Sequence, residues 1–129
     1  MNKKFHKNCF VCGKHSKNGL KLNFILHNNN TLSGEFKISK DYQGYDGILH
    51  GGIITAILDS SMIHLFYMKD GIELKTAKLN MRFIKPVPVE EPITIKAVAC
   101  SDIRHFYKAK SRIICCDTIF AEAEGYFRK

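Results

Sequence analysis

Two groups of residues in this sequence have the types and the spacing to do chemistry. The first is His50-Gly51-Gly52, followed nine residues after the histidine by the carboxylate of Asp59. Paired glycines let the backbone turn tightly and let a ligand atom approach the first free N–H groups of a helix. Those N–H groups lie at the positive end of the helix dipole, where an oxyanion is stabilised. The helix itself is expected from about Gly52 to Met68. At about 100° per residue, Asp59 falls beside Thr55, Met62, Ile63 and Phe66, with Ser60, Ser61 and His64 on roughly the opposite side. A carboxylate among apolar neighbours is costly to bury and carries a raised pKa unless something compensates it. The alternatives are an Asp that reaches solvent at a subunit edge, or one satisfied by a backbone group.

The second group is His6-x-x-Cys9-x-x-Cys12-x-x-His15. A Cys-x-x-Cys pair flanked by histidines has the look of a zinc half-site. Four ligands this close leave little loop with which to close a tetrahedron, and no second cysteine pair follows nearby, so no metal is expected here. No βαβ pattern follows, which speaks against a redox pair. The expectation is an N-terminal arm, residues 1–19, that packs Cys9, Phe10 and Val11 against a domain spanning residues 20–129.

The elements that must position these groups follow from periodicity. Leu20, Leu22, Phe24 and Leu26 alternate with polar residues, Asn28-Asn29-Asn30 makes a turn, and Leu32, Gly34, Phe36 and Ile38 return, giving a hairpin. Ile53, Ile54, Ile57, Leu58, Met62, Ile63, Leu65 and Phe66 lie all round the helix, so other structure should wrap it. Asp59 and His64 interrupt it, and at its expected length it reads as too short and too polar to span a membrane. Asp70-Gly71 stops it, and four strands follow. In the first, Ala77, Leu79, Met81 and Phe83 alternate against Thr76, Lys78, Asn80 and Arg82, until Pro86 and Pro88 end it. Ile93, Ile95, Ala97 and Ala99 mark the second. Residues 104–116 form the third, with Arg104, Lys108, Lys110 and Arg112 of one parity. In the last, Ile119, Ala121, Ala123 and Phe127 stand against Glu122, Glu124 and Arg128. The acidic and basic parities of these last two strands can pair across a solvated face. The fold class is therefore α+β, a curved antiparallel sheet of about six strands wrapped around one long central helix.

A formal net charge of +8 points to an anionic partner. No nucleic-acid-binding motif is present, so neither nucleic acid nor membrane is expected as a partner. The basic N-terminus lacks an apolar run after it, which argues against secretion. An odd count of five cysteines, two of them adjacent at Cys115-Cys116, fits free thiols and a cytoplasmic location.

Four stretches resemble a known family. These are His50-Gly51-Gly52 with Asp59; Gln43-Gly44-x-x-Gly47 before it; Thr76-Ala77-Lys78-Leu79-Asn80-Met81-Arg82-Phe83 running into Lys85-Pro86-Val87-Pro88; and Cys9-Phe10-Val11-Cys12-Gly13 with Asn18-Gly19-Leu20. They are similar to the hotdog-fold acyl-CoA thioesterases of the PaaI-like superfamily. Gly44 stands where many phenylacetyl-CoA-type members carry Asn, and Gln43 resembles the long-chain acyl-CoA thioesterase subgroup more closely.

The resemblance implies hydrolysis of acyl-CoA thioesters without a cofactor or metal. It implies Asp59 as the general base, the Gly51 N–H as the group that polarises the thioester carbonyl, His50 as a support for that loop, and Thr76 as the residue that holds the water or Asp59. Gly52 and Gln43 would contact substrate. The acyl chain would lie beside Met62, Ile63 and Phe66, and Arg82, Lys78 and Lys85 are candidates for the coenzyme A phosphates. The fold implies a homodimer, or a dimer of dimers, with active sites at the interface. The reading from another class is a non-catalytic acyl-CoA-binding protein, a sensor or regulator.

Overall fold

A computed structural model describes residues 5–101 and 106–129. Residues 1–4 of the basic N-terminal arm and Arg104, placed above in the third post-helix strand, lie outside the described residues. The elements in chain order are β1 (Ile25–Leu26), β2 (Leu32–Lys37), α1 (Gly51–Asp70), β3 (Lys75–Phe83), β4 (Pro92–Ser101), β5 (Tyr107–Cys115) and β6 (Thr118–Arg128). The strands form one antiparallel sheet in the order β1-β2-β4-β5-β6-β3. This is the hotdog architecture expected from the sequence, with α1 against the concave face.

Alternation explains the layering. Ile93, Ile95 and Ala97 of β4, Tyr107, Ala109 and Ile113 of β5, and Ala121, Ala123 and Phe127 of β6 are all buried and face the helix. Ile57, Leu58, Met62, Leu65 and Phe66 of α1 meet them. Their polar parities point outward, where Lys110 stands opposite Glu124 and Arg112 opposite Glu122 in register. Lys108 reaches diagonally to Glu124 at 3.6 Å, and Arg82 of β3 pairs with Glu122, its direct partner in register, at 3.3 Å. Inside, the Ser61 and Ser111 hydroxyls bond to each other at 2.6 Å, so these buried polar atoms on facing elements satisfy one another.

Three expectations change. The segment Leu20–Phe24 does not join the hairpin, and β1 keeps only Ile25–Leu26. Lys21 takes a positive φ of 54°, which breaks the strand, and the Leu20 and Leu22 N–H groups bond instead to the carbonyls of Phe10 and Val11 in the arm. In the arm itself, Phe10 is exposed, while Phe5, Val11 and Cys12 are buried. Finally, α1 runs 20 residues and is long and apolar enough to cross a membrane by length and composition. What marks it as a core helix is its covering of strands, with Leu58, Met62, Leu65 and Phe66 fully buried.

Candidate active site

The helix start is built by its cap. His50 sits in the β region with φ −57° and ψ 133°, and its Nδ1 accepts the Gly52 N–H at 2.8 Å. A side-chain acceptor at this position satisfies one of the otherwise unpaired donors of the first turn. The Gly51 N–H, also in that first turn, has no partner within the helix by construction. The loop before it is held by backbone bonds from His50 N–H to Tyr42 O at 3.0 Å and from Leu49 N–H to Val87 O at 2.7 Å. The Gln43 carboxamide oxygen accepts the Gly47 N–H at 3.0 Å, and Gly47 carries the positive φ of 79° that the turn requires. Gln43 thus braces the loop that presents His50 and Gly51.

This loop, the first turn of α1 and the end of β3 enclose an open apolar groove of about 590 Å³. Tyr45, Ile48, Ile54, Phe83 and Ile84 give its walls, with His50 and Gly51 on one side and Lys85 at its edge. Phe83 and Ile84 are large apolar side chains left 57% and 45% exposed there. Met62 and Ile63, expected beside the acyl chain, belong instead to the buried core. The sheet wraps that side of α1 and takes up their apolar surface. Arg82 is likewise off this groove, paired with Glu122 on the outer sheet surface. Lys78 lies over the Tyr126 ring at 5.7 Å, so of the three basic candidates only Lys85 borders the groove.

Asp59 lies further along α1 and is half-buried. Thr76 Oγ1 donates to its Oδ1 at 2.5 Å. Burial pushes the Asp59 carboxyl above the ordinary aspartate value, while the Thr76 hydroxyl and the nearby His6 pull the other way. Among the described residues the carboxylate is therefore held by a side chain from another element and not by a backbone group.

Strict alternation would turn Thr76 away from the helix, because it has the parity of Lys78, Asn80 and Arg82. A β-bulge between Thr76 and Lys78 reverses this. Thr76 pairs with the buried Phe127, whereas beyond the bulge Leu79 pairs with Gly125 and Met81 with Ala123. Thr76 thus shares the helix-facing side with Leu79 and Met81, and the extra residue is Ala77.

Within one chain these groups form two half-sites. His50, Gly51 and the groove make one, and Asp59 with Thr76 makes the other. Eight residues of helix separate Gly51 from Asp59, about 12 Å of rise. The arm folds back so that His6, Cys9 and Cys12 present their ligand atoms within 4.8 Å of one another. His15 does not join them.

Comparison with known proteins adds family and fold. A sequence model of the thioesterase superfamily matches residues 46–99, the stretch that holds His50, Gly51, Asp59 and Thr76. No curated protein matches significantly by sequence. Among solved structures, a thioesterase superfamily protein is similar with a TM-score of 0.84 and 24% identity over 92% of this chain. This chain spans 61% of that protein's length. A phenylacetic acid degradation-related protein from Ralstonia eutropha JMP134 has a TM-score of 0.76 and 18% identity, covering 85% of this chain and 86% of its own. A Streptococcus mutans UA159 protein bound to acetyl CoA has a TM-score of 0.75 and 15% identity, covering 83% of this chain and 86% of its own. At these identities the likeness is one of fold.

Proposed function

Starting from a chain that matches the thioesterase superfamily over residues 46–99 and shares the fold of solved superfamily proteins, we propose that this protein hydrolyses acyl-CoA thioesters to the free acid and coenzyme A. The observation that carries the reading is Asp59, a half-buried carboxylate with a raised pKa, held by Thr76 and set on the same helix whose N-terminus opens onto an apolar groove. A carboxylate tuned upward is better matched to taking a proton near neutral pH than an exposed one. The acetyl-CoA-bound relative in fold supports an acyl-CoA as the ligand class.

In this mechanism Asp59 takes a proton from water as the water oxygen adds to the thioester carbonyl carbon. The carbonyl oxygen becomes an oxyanion facing the Gly51 N–H, at the positive end of the helix dipole. Collapse of the tetrahedral intermediate breaks the C–S bond, and the leaving thiolate takes the proton from Asp59. Thr76 orients the Asp59 carboxylate, His50 and Gly52 fix the first turn of α1 through their mutual hydrogen bond, and Gln43 braces the loop behind them. The apolar groove suits an acyl chain, and Lys85 at its edge suits a phosphate of coenzyme A.

The two half-sites support a site shared between subunits. A carbonyl and its attacking water must come within about 3–3.5 Å, while Gly51 and Asp59 of one helix stand about 12 Å apart along its axis. Two antiparallel copies of α1 across a two-fold axis place the N-terminus of each level with the middle of the other. The exposed edge strand β3, which ends on the uncovered Phe83 with Ile84 just after it, is the surface such a homodimer would cover. Five free thiols fit a cytoplasmic location. Release of free thiol from a panel of acyl-CoAs, compared between wild type and Asp59→Asn, tests the reading.

A further inference from the structure

The N-terminal arm carries three soft ligands that the proposed hydrolysis does not use. His6, Cys9 and Cys12 converge with their ligand atoms within 4.8 Å of one another. Cys12 Sγ and His6 Nδ1 stand 3.6 Å apart. Bond lengths of about 2.0–2.1 Å from zinc to imidazole nitrogen and about 2.3 Å from zinc to thiolate, at a tetrahedral angle, require an N···S separation of about 3.6 Å. Two thiolates on the same ion stand about 3.8 Å apart. The observed cluster is therefore within ~1 Å of tetrahedral spacing throughout, before any ion draws it together.

The backbone holds the cluster in place. The Cys9 N–H bonds to His6 O at 3.0 Å, and the Gly13 N–H to Cys9 O at 2.7 Å. A Cβ at Gly13 would stand 2.4 Å from Cys9 N and 2.5 Å from Lys7 O, so the turn that aims both thiols admits only glycine. The cluster faces inward against α1. There His64 is 1% exposed, and neither of its ring nitrogens has a partner among the described residues. Its ring meets that of His6 edge-on at 5.6 Å. A buried ring without a hydrogen bond carries an uncompensated desolvation cost, and native structures rarely leave one so without a reason.

We propose that His6, Cys9 and Cys12 bind one zinc ion, with water as the fourth ligand, and that the ion pins the arm to α1 beside His64. A zinc-bound water supplies the hydrogen-bond partner that His64 otherwise lacks. The arm is too short to close a four-ligand site by itself, but three of its ligands with water in the fourth position need no such loop. Two thiolates and one imidazole favour zinc among divalent cations of tetrahedral preference. The charges of the ion and the two thiolates cancel, so the site can sit against an apolar helix face without leaving net charge there. The ion takes no step in the proposed hydrolysis, in which Asp59 is the base.

The test uses the untagged chain, kept reduced, stripped of metal with a chelator and titrated with zinc against a chromophoric competitor. One zinc per chain is expected, together with a thiolate-to-metal charge-transfer band when cobalt replaces zinc. Cys9→Ser, at a half-buried position where the isosteric hydroxyl preserves packing, should weaken binding by more than the about 10–100-fold lost on removing an outer-shell partner. Cys115→Ser with Cys116→Ser should retain full binding. Well under one zinc per wild-type chain at micromolar zinc would overturn the proposal. So would undiminished binding in Cys9→Ser, or loss of binding in the Cys115/Cys116 variant. Metal content is read directly, so the outcome stands apart from whether the protein hydrolyses acyl-CoA.

Discussion

Mixing two variants that are each inactive should restore about a quarter of wild-type turnover if each site takes Gly51 from one subunit and Asp59 from the other. The first variant, Asp59→Asn, removes the base. The second, Gly51→Leu, fills the helix N-terminus. A Cβ at Gly51 would make ordinary contact with the Phe83 ring at 3.7 Å, so the helix start tolerates a side chain, and the rest of the leucine projects into the groove. The need for two subunits follows from distance. About 12 Å of helix rise separates the two groups in one chain, against the about 3–3.5 Å allowed between reacting atoms. After joint unfolding and refolding at equal amounts, random pairing makes about half the dimers mixed, and each has one intact site of two, hence about one quarter. Turnover is followed by release of free coenzyme A thiol, and pairing by native mass spectrometry of differently labelled chains. If mixed dimers form and the mixture remains as inactive as its parents, the shared site is wrong.

Thr76→Val keeps the shape of the side chain and removes the hydroxyl that donates to Asp59. That hydrogen bond holds the carboxyl pKa down, so the acid limb of the pH–rate profile should move to higher pH. The value of kcat should fall by about tenfold, the size of one hydrogen bond to a charged group; an unmoved limb would separate Thr76 from the chemistry of Asp59. Asp59→Asn should not destabilise the fold. Burial raises the Asp59 pKa above its unfolded value, so the native chain holds that proton more tightly and stability falls as pH rises through the shifted pKa. At neutral pH the neutral amide should therefore give a Tm equal to or above wild type by calorimetry, and a drop of several degrees would show that the carboxylate stabilises the fold.

Much of the fold could be read from period alone, because the buried faces of β4, β5 and β6 alternate without interruption and α1 is apolar all round. The pairing of the site residues could not. Alternation places Thr76 on the outer face of β3, and only the bulge at Ala77, for which the sequence holds no turn or glycine signal, brings it to Asp59. The lining of the groove is hidden in the sequence for a related reason. A helix apolar on all sides does not say which side the sheet covers, so Met62 and Ile63 looked as available as Tyr45, Ile48 and Phe83. The hairpin was overextended because the positive φ of Lys21 leaves no mark on hydrophobic periodicity. The convergence of His6, Cys9 and Cys12 was legible as spacing, but the approach of the cluster to His64 depends on tertiary folding of the arm.

The central claim is that Asp59 activates water against a thioester whose carbonyl faces the start of α1. The most direct measurement is kcat for thiol release from acyl-CoA substrates by wild type and by Asp59→Asn at matched pH, with circular dichroism showing the same fold in both. The account predicts hydrolysis by wild type and a loss of about 10²–10⁴ in kcat for the variant, the size expected for a missing general base. Undiminished turnover in a folded Asp59→Asn chain, or binding of acyl-CoA by wild type with no hydrolysis across the panel, would contradict it.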